Sequence, residues 1–250
     1  MVGAPVGSGY VFDGFAGWDA LRAGEVDRRH AWEFVQEVTA AFGKPLAAGD
    51  GIDEDRLRAA EIRLDLALPA ALREAYALFG QRRDLTSTQD RLLLPEQLAI
   101  GGADGVLVFR VENQSCAAWG VRGSELGQDD PPVVLEAGHG WVPYADRLST
   151  ALVEMALSES LFADEHNTDN RDLDDLTHAA LGREFALLPL PAFPFWAAPG
   201  GPPLRWFAGP DVLLRDDGGS WLWVCARTAA ALEAVRERLP GDWIMTDADG

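Results

Sequence analysis

The spacing of apolar residues changes near residue 100, and this change limits the fold more than any other feature of the sequence. Between Arg29 and Phe79 the apolar positions recur at helical intervals. From Val106 onward, short runs rich in β-branched and aromatic residues alternate with turn signals. Because several helices precede a series of strands, the order predicts the α+β class, with a mostly antiparallel sheet packed against helices.

The predicted elements divide the chain into four parts. Helices are expected at 29–42, 54–64 and from Pro69 to Phe79, and a further helix from Ser149 to Leu161 follows the first strands. Those strands are expected at 106–111, 116–121, 133–135 and 141–144. The parts are an N-terminal helical region (1–49), a central α+β domain (50–163), an acidic linker with a helix start (164–182) and a C-terminal α+β extension (183–250).

The C-terminal extension has its own pattern of elements. A helix is expected from Thr177 to Leu188, followed by an irregular proline-rich segment. A β-meander follows, with strands at 204–208, 212–215 and 221–225. Thr228 is a suitable cap for a further helix, and Asp242–Met245 is expected to form a final strand.

The charge balance excludes some classes of partner. The chain has 40 acidic residues and 21 basic ones, a formal net charge of −19, which argues against direct nucleic-acid binding. Two cysteines are too few for a disulfide framework in a chain of 250 residues. Since neither a signal-peptide pattern nor an apolar run of membrane-spanning length occurs, we expect a cytoplasmic protein without membrane contact.

The acidic residues are concentrated in residues 111–175, which carry fourteen of them against three arginines. Charge on exposed loops can meet a partner directly. We therefore predict a partner-binding surface on two acidic loops, one between strands and one after the helix that ends at Leu161. The predicted contact residues are Glu125, Asp129, Asp130, Asp164, Glu165 and Asp169.

Motifs for catalysis or metal binding are not found. The serine of Gly123–Gly127 is misplaced for a nucleophile elbow, and Gly101–Gly105 lacks the lysine and helix of a phosphate-binding loop. The acidic run 164–175 lacks the central glycine and terminal glutamate of a calcium loop. One helix face gathers His30, Glu33 and Glu37, which we interpret as a solvated face rather than a metal site. We expect no catalytic residues, no metal and no cofactor, although acidic pairs meeting in space keep an enzyme hypothesis open.

A set of short motifs over about residues 50–162 resembles the SUKH superfamily, the Smi/Knr-type domain. The motif residues, which we expect to be mainly structural, are Leu68, Pro69, Glu112, Asn113, Gln114, Trp119, Pro131, Pro132 and Trp141. Glu112, Asn113 and Gln114 either brace neighbouring backbone or face a partner. The chain departs from the family pattern after the third helix, where Gln81-Arg82-Arg83 follows Gly80 in place of a Gly-Gly pair.

The resemblance implies an α+β domain without catalytic machinery. Many bacterial members are similar to immunity proteins that bind and block a secreted toxin, often a nuclease or deaminase, and others are scaffolding or regulatory proteins. We therefore expect a protein-binding module that binds a basic toxin or another basic protein through its acidic surface. The alternative is a regulatory or scaffolding protein of the Smi/Knr type without a toxin partner.

Overall fold

The fold is described from a computed structural model, which covers Ala20 and residues 27–101, 105–138, 140–163 and 167–245. These residues form seven α-helices and two antiparallel sheets. The predicted α+β class is thereby confirmed. No helix within these ranges is both long and apolar enough to cross a lipid bilayer.

Four helices open the described part of the chain: α1 (Arg28–Ala41), α2 (Glu54–Leu64), α3 (Ala70–Phe79) and α4 (Arg83–Thr86). The carboxylate of Asp27 caps α1 by accepting a hydrogen bond from the backbone N–H of His30 at 2.9 Å. Arg82 connects α4 to the loop after α1, because its guanidinium donates to both Asp84 and Asp50. Arg82, in the Gln81-Arg82-Arg83 segment after Gly80, thus connects two segments of the chain.

The first sheet contains β1 (Arg91–Leu92), β2 (Ala99–Gly101), β3 (Val106–Val111), β4 (Ala118–Arg122), β5 (Val133–Glu136) and β6 (Trp141–Ala145). Its order is β1-β3-β4-β5-β6, with β2 also paired to β3. β3 and β4 form the predicted hairpin, in which Arg110 lies opposite Trp119. β4 begins two residues later than predicted, so Cys116 lies exposed in the turn.

Helix α5 (Leu148–Leu161) runs through the centre of the molecule. It contacts α1, α3 and α4 as well as strand β6, and it is buried on nearly every side. The buried side chains include the charged residues Glu154 and Glu159. A helix surrounded in this way must pair its charges inside the protein.

The second sheet contains β7 (Thr168–Asp172), β8 (Ala186–Leu187), β9 (Arg205–Gly209), β10 (Val212–Asp217) and β11 (Trp221–Ala226), in the order β7-β11-β10-β9-β8. Helix α6 (Asp175–Glu184) precedes β8, and α7 (Ala229–Arg238) follows β11. Alternate residues of β9 to β11 point to opposite faces of this sheet. Trp206 and Leu213 join the main core with the first sheet and α5, while Phe207 and Leu214 join a smaller core with α6 and α7.

Three predictions for the second half are wrong. Residues 168–172 form a strand paired with β11 rather than part of a solvated loop. α6 ends at Glu184 rather than at Leu188, because Ala186–Leu187 pairs with β9. Asp242–Met245 forms no strand; its backbone N–H groups instead donate to Asn170 and Asp169 beside β7.

Candidate functional site

The loop from Gly123 to Asp129 carries the most exposed of the predicted contact residues. The side chain of Asp129 is 77% exposed, with one carboxylate oxygen 3.4 Å from a guanidinium nitrogen of Arg28. Glu125 is partly exposed and accepts a hydrogen bond from the amide of Gln128. This loop therefore presents acidic side chains to solvent, as predicted.

Asp130 has a different role from its neighbour. Its side chain is only 7% exposed. The carboxylate accepts hydrogen bonds from the backbone N–H and the hydroxyl of Ser149, each at 2.7 Å, and so satisfies a free donor in the first turn of α5. The predicted exposure of Asp130 is wrong, because its carboxylate is held against the first turn of a buried helix.

Asp169 is fully buried in β7 and is not on an exposed loop. One carboxylate oxygen accepts hydrogen bonds from the guanidinium of Arg236, on α7, and the other accepts from the backbone N–H of Met245 at 2.9 Å. The predicted exposure is therefore wrong, because the C-terminal segment covers this strand. Asp164 and Glu165 lie outside the described residues.

The two predicted acidic loops lie at opposite ends of α5. Asp130 binds Ser149 in the first turn, whereas the hydroxyl of Thr168 donates to the carbonyl of Leu161, the last residue of the helix. Fourteen helical residues span about 21 Å at 1.5 Å per residue. Asp130 and Thr168, the described residues next to the two ends, are therefore separated by about the length of α5.

Glu112 braces the turn of the first hairpin. Its carboxylate is buried and accepts hydrogen bonds from the backbone N–H groups of Gln114 at 2.8 Å and Cys116 at 3.0 Å. This support holds Ser115 in a left-handed conformation with φ of 63°. Glu112 therefore braces neighbouring backbone, which is the first of the two alternatives given for this motif. Asn113 and Gln114 are exposed to solvent.

The other motif residues lie at the start of α3 and in or next to the first sheet. The backbone N–H of Ala71 donates to the carbonyl of Asp129 at 2.9 Å, which joins the helix to the exposed loop. Trp119 is buried in the first sheet, with the guanidinium of Arg110 4.3 Å above its ring. Of the remaining motif residues, Leu68, Pro69 and Pro131 are buried, and Pro132 and Trp141 are half-buried.

An open depression of about 580 Å³ lies on the surface beside the exposed loop. It is lined by Asp27, Arg28, Arg29, Trp32, Glu33, Gln36 and Glu74. Arg28 joins this depression to the loop, because its guanidinium lies 3.1 Å from Glu74 and 3.4 Å from Asp129. With Asp129 included, four carboxylates surround two arginines, so this surface has a net negative charge.

Side chains on the predicted solvated face of α1 make polar contacts with their neighbours. Arg29 lies 3.1 Å from Glu33, and the imidazole of His30 lies 3.1 Å from the carboxylate of Asp27. Within the described residues, no group of three or more histidine, cysteine, aspartate or glutamate side chains is arranged to hold a metal ion.

A buried charged network, not anticipated from the sequence, surrounds Arg110 on β3. The guanidinium lies 2.8 Å from Asp90, 3.0 Å from Glu154 and 3.6 Å from Glu159. All four side chains are almost completely buried. The sequence did contain a signal for the two glutamates, because apolar residues are spread around the whole circumference of their helix, which is typical of a buried helix.

Glu159 also fixes the segment that leads into β1. Its carboxylate accepts three backbone N–H groups, from residues 88–90, at 2.7, 2.6 and 3.1 Å. Burial raises the pKa of the Glu159 carboxyl above its ordinary value, and the charge of Arg110 opposes this shift. Burial raises the pKa of Asp90 in the same way, again opposed by Arg110.

The network continues into the second sheet through α5. Glu154 accepts hydrogen bonds from the hydroxyls of Tyr144 at 2.8 Å and Ser158 at 2.5 Å. Arg215 of β10 donates to that same Ser158 hydroxyl at 2.9 Å and to Asp217 at 3.0 Å. Polar contacts therefore connect strands of both sheets to one helix.

A cavity of about 190 Å³ lies against this network. Its polar lining includes Arg110, Arg215 and five carboxylates: Asp90, Glu112, Glu154, Glu159 and Asp217. The enzyme hypothesis requires a pocket of convergent titratable groups, and this cavity contains them. The carboxylates, however, accept hydrogen bonds from fixed donors, which favours a structural role over proton transfer.

No protein-family model, curated protein or solved structure matches this chain.

Proposed function

We propose that this protein is a non-catalytic binding module of the SUKH type, an immunity protein that neutralises a bacterial toxin of the nuclease or deaminase class. The observation that supports it is the exposed Asp129 beside an open depression in which carboxylates outnumber arginines. Enzymes that act on nucleic acid hold it with positive charge. An acidic protein surface that enters such a groove excludes the substrate and is guided there electrostatically.

The proposed binding surface is narrower than the distribution of acids along the sequence suggests. It comprises the loop from Gly123 to Asp129, the first half of α1 and Glu74. Asp130 and Asp169 are excluded from it because their carboxylates are engaged inside the protein.

The test is co-purification and binding kinetics with the product of the gene adjacent to this one in the genome. We expect that product to be toxic alone, to bind this protein and to be neutralised by it. The Asp129→Lys variant should associate about tenfold more slowly at low salt, since it reverses a charge within the binding surface. Asp172→Lys is the matched control. Asp172 is also an exposed acid, but it lies at the end of β7, outside the proposed binding surface.

The proposal fails if neighbouring toxic products neither bind nor are neutralised, or if the two lysine variants slow association equally. Binding to an adjacent product that has no toxicity would support the alternative, a regulatory or scaffolding role.

A further inference from the structure

The geometry points to a second binding site, in the cavity between the two sheets, for a small neutral planar ring that carries a carbonyl oxygen. This site is separate from the proposed protein-binding surface. Four properties of the cavity support the inference: its aromatic walls, two buried donors without acceptors, the charge of its lining and its volume.

The apolar part of the cavity wall is mainly aromatic. Strands β4, β6 and β11 contribute Trp119, Tyr144 and Trp223, and the segment after α5 contributes Phe162. Phe195 and Trp196, from the proline-rich segment before β9, complete the wall. Flat aromatic surfaces favour stacked or edge-on contact with a planar ligand.

Three buried donors in this lining, from Arg110, Arg215 and Trp119, form no hydrogen bond, but the Nε of Arg215 lies 2.7 Å from a carboxylate oxygen of Asp217, which leaves two donors without a partner. They are the Nε–H of Arg110 and the indole N–H of Trp119, and both side chains are more than nine-tenths buried. A buried donor without an acceptor is unfavourable and is uncommon in folded proteins. A carbonyl oxygen bound in the cavity could accept from these groups.

The charge of the lining argues against ionic ligands. Five carboxylates face two arginines, so an anion would meet net repulsion. The carboxylates already accept hydrogen bonds from fixed donors, and a cation would leave Arg110 and Trp119 unsatisfied. A neutral ligand with an acceptor avoids both penalties.

The cavity also has a suitable size and a route to solvent. Its volume of about 190 Å³ exceeds the roughly 150 Å³ of an engineered apolar cavity that binds benzene. A single ring with one substituent therefore fits. Gln89 is exposed and Trp196 is half-exposed, so the lining reaches the molecular surface at these residues.

The test uses four monosubstituted benzenes that differ mainly in the substituent: benzamide, toluene, benzoate and benzylamine. Binding to the purified full chain is measured by calorimetry and by the NMR shifts of the indole N–H groups. We expect benzamide to bind at least tenfold more tightly than the apolar, anionic and cationic compounds. Its addition should shift the Trp119 indole resonance and leave that of Trp206 in place.

A pair of tryptophan variants supplies the matched control. Trp119→Phe keeps an aromatic wall but removes the donor, and should weaken benzamide binding about tenfold, the effect of losing one buried hydrogen bond. Trp206→Phe should bind as the wild type does, because Trp206 is also buried with an unpartnered N–H but does not line the cavity.

The inference is overturned if benzamide does not bind at millimolar concentration, because water would then be the occupant of the cavity. It is also overturned if toluene, benzoate or benzylamine binds as tightly as benzamide. Equal weakening by both tryptophan variants would also overturn it. If Trp119→Phe does not fold, the wild-type indole shifts decide the question. The toxin-binding experiment has a separate readout, so either proposal can fail alone.

Discussion

Asp129 and Asp130 are adjacent in sequence, yet their carboxylates have opposite environments. Asp129 is exposed and pairs only with Arg28, whereas Asp130 is buried against the first turn of α5. An exposed ion pair contributes little to stability, while a helix cap contributes more. Asp129 is therefore available at the surface for a partner, whereas Asp130 stabilises the fold.

We predict that Asp130→Ala lowers the free energy of unfolding by about 1–2 kcal/mol, because the N–H and hydroxyl of Ser149 lose their acceptor. Asp129→Ala should change it by less than about 0.5 kcal/mol. Urea denaturation of the two variants measures both values. Similar losses in the two variants would contradict the assigned cap.

Sequence patterns predicted the positions of the acids better than their environments. The exposure of Asp129 follows from its place in a polar loop between strands, but the burial of Asp130 depends on how closely α5 approaches that loop. The burial of Asp169 depends likewise on Arg236, which is distant in sequence. Such contacts are set by tertiary packing, which a local pattern does not encode.

At the scale of elements, β7 depends on a charged connection to α7. Asp169 pairs with Arg236, and the guanidinium of Arg171 donates to the carbonyls of Leu239 and Pro240 at 2.9 Å each. These bonds attach the end of α7 to the edge of the second sheet. A strand rich in polar residues is stabilised here by its partners rather than by apolar burial.

We predict that Asp169→Asn destabilises the protein by roughly 2–4 kcal/mol, because it removes the buried charge that pairs with Arg236 and leaves that guanidinium only the exposed Glu233. Hydrogen exchange should accelerate most in α7 and β7. The matched control is Asp211→Asn, whose carboxylate pairs with Arg227 while both side chains are nearly half exposed, and which should cost less than about 0.5 kcal/mol. Equal effects of the two variants would contradict this account.

The elements whose limits were predicted correctly have clear start or composition signals: an acidic first turn for α2 and a run of β-branched and aromatic residues for β3. α2 was predicted with its observed limits, and the limits of β3 were also correct. β7 was missed because Thr168–Asp172 contains no apolar side chain, so neither strand nor helix periodicity is visible. The two-residue strands β1 and β8 are too short to give a pattern.

At the scale of the molecule, the acidic residues divide into two groups with different roles. Glu112, Glu154, Glu159 and Asp169 are buried and hold backbone or arginine groups in place. Others, such as Asp129, remain at the surface. Four of the fourteen acidic residues in residues 111–175 therefore belong to the interior, while exposed ones such as Asp129 are open to a partner.

We expect α5 and the charged network around Arg110 to join the two sheets into one cooperative unit. Hydrogen exchange of the wild type at increasing urea concentration tests it directly. We predict that the amides of β4 and β10 lose protection at the same urea concentration, with the same free energy of opening, because both strands depend on the shared core. Loss of protection in the second sheet at a clearly lower urea concentration, with the first sheet still protected, would contradict the claim.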